Sequence, residues 1–111
     1  MKRKANVEKI LTFFNEEKVF FHDGYYRIRR LDKETVELAF LIAGPCGDTV
    51  AHPQITVSLT ESQAIGTKLI DMHATPPLFL SRDSSTEQEL DRALDKLIEK
   101  FLSNMQKNTK I

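Results

Sequence analysis

The stretch Val19-Phe20-Phe21-His22-Asp23-Gly24-Tyr25-Tyr26-Arg27-Ile28-Arg29-Arg30 decides how this chain reads. Aromatic and β-branched residues flank Asp23-Gly24, and that dipeptide is a strong hairpin signal because a type I′ turn needs positive φ at both central positions. The stretch therefore predicts a β-hairpin with its two-residue loop at Asp23-Gly24. Alternation along its second strand puts Tyr26, Ile28 and Arg30 on one face. Tyr25, Arg27, Arg29 and Leu31 fall on the other.

Outward from the hairpin, the N-terminal side reads as a short helix over residues 5–17. Val7, Ile10, Leu11 and Phe14 fall at i, i+3, i+4 and i+7, with Asn6 as a cap. On the C-terminal side, residues 31–34 form a polar turn into a strand over 35–43. Val36, Leu38, Phe40 and Ile42 share one face of it, and Glu37, Ala39, Leu41 and Ala43 the other. The second face is polar only at its start, so this strand is expected at the centre of the sheet. Residues 44–53 read as a loop on their Gly and Pro content, and 54–59 alternate apolar and polar as a strand with one wet face.

Three further elements complete the order. Thr60-Glu61-Ser62-Gln63 has the form of a capping box, with Ile65, Leu69 and Met72 forming a stripe behind it. This predicts a middle helix, weakened by about 1 kcal/mol at Gly66. Residues 78–80 follow two prolines and read as a short edge strand. Residues 86–106 contain no Gly or Pro and form a long amphipathic helix, with Ser84 or Ser85 as its cap. Leu90, Leu94, Ile98 and Leu102 make one apolar row of it, and Ala93, Leu97, Phe101 and Met105 the next. Glu87, Asp91, Asp95 and Glu99 line up as an acidic row beside the basic row Arg92, Lys96 and Lys100. The expected architecture is α+β: an N-terminal helix, an antiparallel sheet of about four strands, a middle helix and a long C-terminal helix.

Composition bounds the class. At 111 residues with 41% hydrophobic and 29% charged side chains, the chain reads as a single domain over 1–111. Residues 1–4 are expected to be a flexible basic N-terminus and 107–111 a frayed C-terminus. Basic and acidic side chains both number 16, so no overall field draws the chain to nucleic acid or membrane. The first thirty residues nevertheless hold eight basic and four acidic groups, against one and four in the next thirty. One cysteine, Cys46, excludes an internal disulfide framework. With neither a signal peptide nor an apolar run of ~20 residues, the chain reads as a soluble cytoplasmic protein of bacterial or phage type.

Four groups of residues are candidates for function. Tyr25, Arg27 and Arg29, with Arg30, combine aromatic and guanidinium groups as a platform for single-stranded nucleic acid does. The alternative is a solvated face whose arginines pair with Glu34, Glu37 or the acidic row of the long helix, from this chain or another. Cys46, Asp48 and His52 contain the elements of a thiol nucleophile or a ligand-binding loop, although their spacing fits no motif. Cys46, His22, His52 and His73 are all zinc-ligand types, but no two are spaced for local coordination, so no metal or cofactor is expected. Leu90, Leu94, Leu97, Phe101 and Met105 offer an apolar strip for a partner, because three helices exceed what about four short strands cover. No phosphate-binding glycine loop, paired-carboxylate motif or nucleophile elbow is present. The leading expectation is a small non-catalytic binding protein working through a protein interface, as a homodimer. Nucleic-acid binding through the hairpin comes second, and an enzyme or ligand-binder at the Cys46–His52 loop third.

Overall fold

The computed structural model describes residues 2–108. The elements run α1 (Arg3–Phe13), β1 (Val19–Phe21), β2 (Gly24–Asp32), β3 (Thr35–Ala43), β4 (Thr49–Leu59), β5 (Ala64–Asp71), β6 (Leu78–Ser81) and α2 (Glu87–Asn108). The strands form one antiparallel sheet in sequence order, β1 to β6, so every connection is a hairpin. The fold is α+β, with six strands and two helices where about four strands and three helices were expected.

The difference lies in residues 60–71. Thr60 and Gln63 do bond as a capping box predicts, the Gln63 N–H donating to Thr60 Oγ1 at 2.9 Å. The Thr60 N–H also donates to the Gln63 carbonyl at 2.8 Å, which closes a hairpin between β4 and β5 rather than starting a helix. The Ile65, Gly66, Thr67 and Ile70 content favours a strand, and sheet pairing on both sides outweighs the helical spacing of Ile65, Leu69 and Met72.

Two smaller shifts have local causes. Phe21 pairs with Gly24, so the hairpin loop is His22-Asp23, not Asp23-Gly24. Gly24 is required by close approach: a Cβ there would lie 2.6 Å from the Phe40 ring and 2.7 Å from the Leu41 carbonyl oxygen. The loop expected over 44–53 shrinks to 44–48, because β4 starts at Thr49. Pro53 is tolerated inside that strand at the register shift opposite Phe40.

Both helices pack on one face. Val7, Ile10 and Phe14 from the first segment and Leu90, Leu94, Leu97, Ile98 and Phe101 from α2 join Tyr26, Ile28, Val36, Leu38, Ile55, Val57 and Leu69 in the core. Tyr26 is its aromatic centre, with ring centroids 5.1 Å from Phe101, 5.2 Å from Phe40 and 5.6 Å from Phe21. Its hydroxyl donates to Asp23 at 3.0 Å, which satisfies the one polar atom this side chain carries inward. Burial and the Asp23 hydrogen bond together push the Tyr26 phenol well above its usual range.

The helix ends differ from their expected caps. Asn6 lies inside α1, and Arg3 and Lys4, expected in a loose N-terminus, form its first turn. Arg3 is held there by Asp95 on α2 at 2.6 and 3.0 Å. At the start of α2, Asp83 Oδ1 accepts the N–H groups of Ser85 and Thr86, so Asp83 takes the part expected of Ser84 or Ser85. Residue 1 and the tail from 109 lie outside the described residues, and with them part of the expected loose ends. Among the described residues no helix is long and apolar enough to cross a membrane.

Candidate functional site

Strand alternation sends half of the sheet's side chains away from the helices. In register across the strands, this face carries a row of Phe20, Tyr25, Leu41 and Ala51. A second row holds Arg27, Ala39, Gln54, Ile70 and Phe79, and a third Arg29, Glu37, Thr56, Lys68 and Ser81. Neither helix covers it.

The arginines are positioned by the small residue between them and their partners. Arg27 faces Ala39 across the β2–β3 ladder, and Ala39 faces Gln54 across the next. The Arg27 side chain therefore lies flat over Ala39 and its Nη2 donates to Gln54 Oε1 at 3.2 Å, two strands away. Arg29 Nη2 donates to Glu37 Oε1 at 2.8 Å, and Arg27 Nη2 approaches the same oxygen at 3.5 Å. Glu37, only 6% exposed, is thus the shared counter-ion of two guanidinium groups. Arg27 Nε is buried without a partner among the described residues. Arg30 points to the other side of β2 and donates to the Lys33 carbonyl at the sheet's end.

The row of Glu37 continues as polar Thr56, Lys68 and Ser81, and the apolar side chains of the face lie toward its two edges. The Phe20 and Tyr25 rings meet edge-on with centroids 5.1 Å apart, and Lys18 Nζ lies 5.2 Å from the centre of the Tyr25 ring. Phe20 is 60% exposed and Phe79, at the far edge, 64%. Met72, which follows β5 directly, is also exposed.

The structure redistributes the other candidates. Leu90, Leu94, Leu97 and Phe101 are fully buried in the chain's own core and Met105 packs against it, so that strip does not face outward. It is consumed because the sheet has six strands for two helices to cover. The acidic row of α2 meets Arg3 through Asp95 and Arg82 through Asp91 at 3.0 Å; it does not reach the hairpin arginines. Cys46 is an exposed free thiol. The hydrogen bond of His52 goes instead to Asp71, at 2.9 Å from Nδ1. Among the described residues no group of three or more His, Cys, Asp and Glu is arranged to hold a metal.

Of the three acidic partners weighed for the hairpin arginines, it is Glu37 that meets Arg29 and Arg27, not Glu34 or the acidic row of α2. Sequence reasoning missed Asp71, Met72 and Phe79 as surface features, because the middle-helix reading hid β5 and with it the place of the short strand at 78–80 in the sheet. Comparison with protein-family models, with characterised proteins and with solved structures returns no match, so the site is argued from its geometry alone.

Proposed function

We propose that this is a non-catalytic binding protein that works through a protein interface, the helix-free face of its sheet packing against the same face of a second copy. One observation carries the reading: both helices lie on one side, and the other side presents exposed Phe20, Phe79 and Met72 around a charge cluster that Glu37 already closes. Exposed Phe20 against Tyr25 at one edge and exposed Phe79 and Met72 toward the other put apolar area at both ends of an uncovered sheet, which a partner as wide as the sheet would bury. Six strands ~4.8 Å apart, with outward rows ~7 Å apart, give a face of roughly 24 by 20 Å. That is about 480 Å² in projection, smaller than the ~800 Å² each partner gives to a standard interface, and aligned packing of two sheets ~10 Å apart is a common way to bury such faces.

The same geometry weakens nucleic-acid binding. Arg27 and Arg29 are committed to Glu37 and Gln54, and Phe20 and Phe79 are separated by the whole width of the sheet, too far apart for successive bases to stack on both.

Sedimentation velocity up to millimolar concentration tests the proposal. A particle of twice the 12.7 kDa chain mass is expected, reduced to a monomer by Phe20→Asp with Phe79→Asp, whose thermal stability should match that of the native chain diluted to a monomer, since both side chains are exposed in the single chain. A strict monomer at every concentration overturns the proposal. Arg29-dependent binding of single-stranded RNA by that monomer would assign the face to nucleic acid instead.

A further inference from the structure

On the opposite side of the sheet, where β4 begins, α2 leaves a cavity of about 250 Å³ against the strands. Phe40, Pro53, Ala93 and Leu97 form its apolar wall, and His52, Lys96 and Lys100 supply its polar groups. No carboxylate lines it.

The polar groups are fixed to different degrees. Asp71 Oδ1 accepts the backbone N–H groups of His73 and Ala74 at 3.0 and 3.2 Å, which fixes the carboxyl group. Carboxylate oxygens accept, so His52 Nδ1, at 2.9 and 3.0 Å from the two of them, is the donor of that contact. The His73 ring packs edge-on against the imidazole with centroids 4.7 Å apart. His52 is thus held in one orientation from two sides, and its Nε2, without a partner among the described residues, donates to an anion when the ring carries a proton on both nitrogens, so the carboxylate binds together with a proton. Lys100 is partly neutralised: its Nζ bonds Asp23 at 2.9 Å and lies 4.3 Å from the centre of the Phe40 ring. Lys96 is exposed and forms no ion pair among the described residues. Its charged neighbours along the helix are Arg92 and Lys100, one turn away on either side, and Glu99 three residues on, so cations outnumber the one carboxylate beside it.

Lys96 and Lys100 also border a larger cavity of about 410 Å³ on the other side of their row. That cavity contains Asp23 and Glu99, whose charges oppose an anion there. An anion attracted to Lys96 is therefore directed toward His52.

We infer that the smaller cavity binds a compact amphipathic anion, a carboxylate on a single ring or short alkyl body. The carboxylate lies between Lys96 and His52, and the body rests on Phe40, Pro53, Ala93 and Leu97. The volume falls below the ~300–1,000 Å³ of sites for drug-sized ligands, which limits the body to about one ring. Binding here is independent of the open sheet face, since the cavity lies on the helix side.

Titration of the full chain with sodium benzoate, followed by NMR of the His52 ring and the Ala93 methyl, tests the site. Saturable shifts confined to those signals are expected. At matched ionic strength, benzyl alcohol should bind at least tenfold more weakly, as should benzoate to Lys96→Gln, an exposed substitution that leaves the core untouched. Ala93→Leu, which fills the cavity, should abolish the shifts while α2 and the sheet keep their spectra. Sodium hexanoate in place of benzoate distinguishes a chain-shaped from a ring-shaped occupant, and saturation by either supports the site. Absence of saturable shifts with both, or shifts undiminished in Lys96→Gln and Ala93→Leu, overturns it.

Discussion

The two faces of this sheet are built from the same strands by the same alternation, and they reach burial by different means. On the helix side Tyr26, Ile28, Val36, Leu38, Ile55 and Val57 are at most 1% exposed because α1 and α2 lie over them. On the open side Ala39 is equally inaccessible with no helix above it. Its cover is the flat Arg27 side chain, whose stem crosses β3 on its way to Gln54. Long charged side chains can shield a surface while keeping their heads at its edge. A buried strand position therefore does not imply a second packed layer. Here one face is closed by apolar packing and the other by a thin polar lattice anchored on a single carboxylate.

The largest expected effect separates the faces by stability. Phe101→Ala removes a fully buried ring that contacts both Phe14 and Tyr26 and should cost about 3–5 kcal/mol. Phe79→Ala, on the open face, should change stability by less than about 0.5 kcal/mol. Urea denaturation of the two variants at concentrations low enough to keep the chain monomeric measures the contrast directly. A comparable loss at Phe79 would mean that the open face is a second core rather than an available surface.

An intermediate effect is expected within the polar lattice. Glu37→Gln keeps the side-chain shape but leaves the Arg27 and Arg29 guanidinium groups beside each other without a counter-charge, and should cost about 1–3 kcal/mol. Removing one of the two cations relieves that repulsion, so Arg29→Ala should be less damaging in the Glu37→Gln background than alone. A double-mutant cycle by urea denaturation gives the coupling, expected to exceed about 0.5 kcal/mol. Strict additivity would show that Glu37 and Arg29 are not coupled and that the carboxylate does not anchor the lattice.

Much of this comparison was legible in the residues. The alternation of Tyr26, Ile28 and Arg30 against Tyr25, Arg27 and Arg29 assigned each side chain of β2 to its observed face, and the i+4 rows of α2 identified its buried stripe. The register of the hairpin was not legible to one residue, because Gly24 satisfies two requirements that look alike in sequence: a turn position and a close approach to Phe40 and Leu41. The Thr60–Gln63 box misled for a related reason. Its side-chain-to-backbone bond is local and forms in a hairpin as readily as at a helix end, so only the pairing of β5 with β4 and β6 decides between them. The partners of the arginines lie on other strands, and no local spacing reveals a contact that depends on sheet register.

The smallest effect concerns the polar rim of the closed face and is visible through pH. Asp23 belongs to the hairpin loop, where partial burial works against its charge. The hydrogen bonds it accepts from Lys100 and Tyr26 outweigh that burial and hold its carboxyl below the usual carboxylate range. A carboxyl whose folded value is depressed contributes stability that is fully present above its unfolded value of about 3.9 and is lost as pH falls through the lower folded value. Asp23→Asn keeps an acceptor for both donors and removes only the charge, so the difference in stability between the native chain and this variant isolates the ionic part. With the Asp23 side chain a third exposed, that part should be below about 1 kcal/mol. Urea midpoints should differ at neutral pH and converge in acid below the usual carboxylate range. A gap that persists in acid would assign the role of Asp23 to loop geometry, and the bond between the hairpin and α2 would then depend on packing alone.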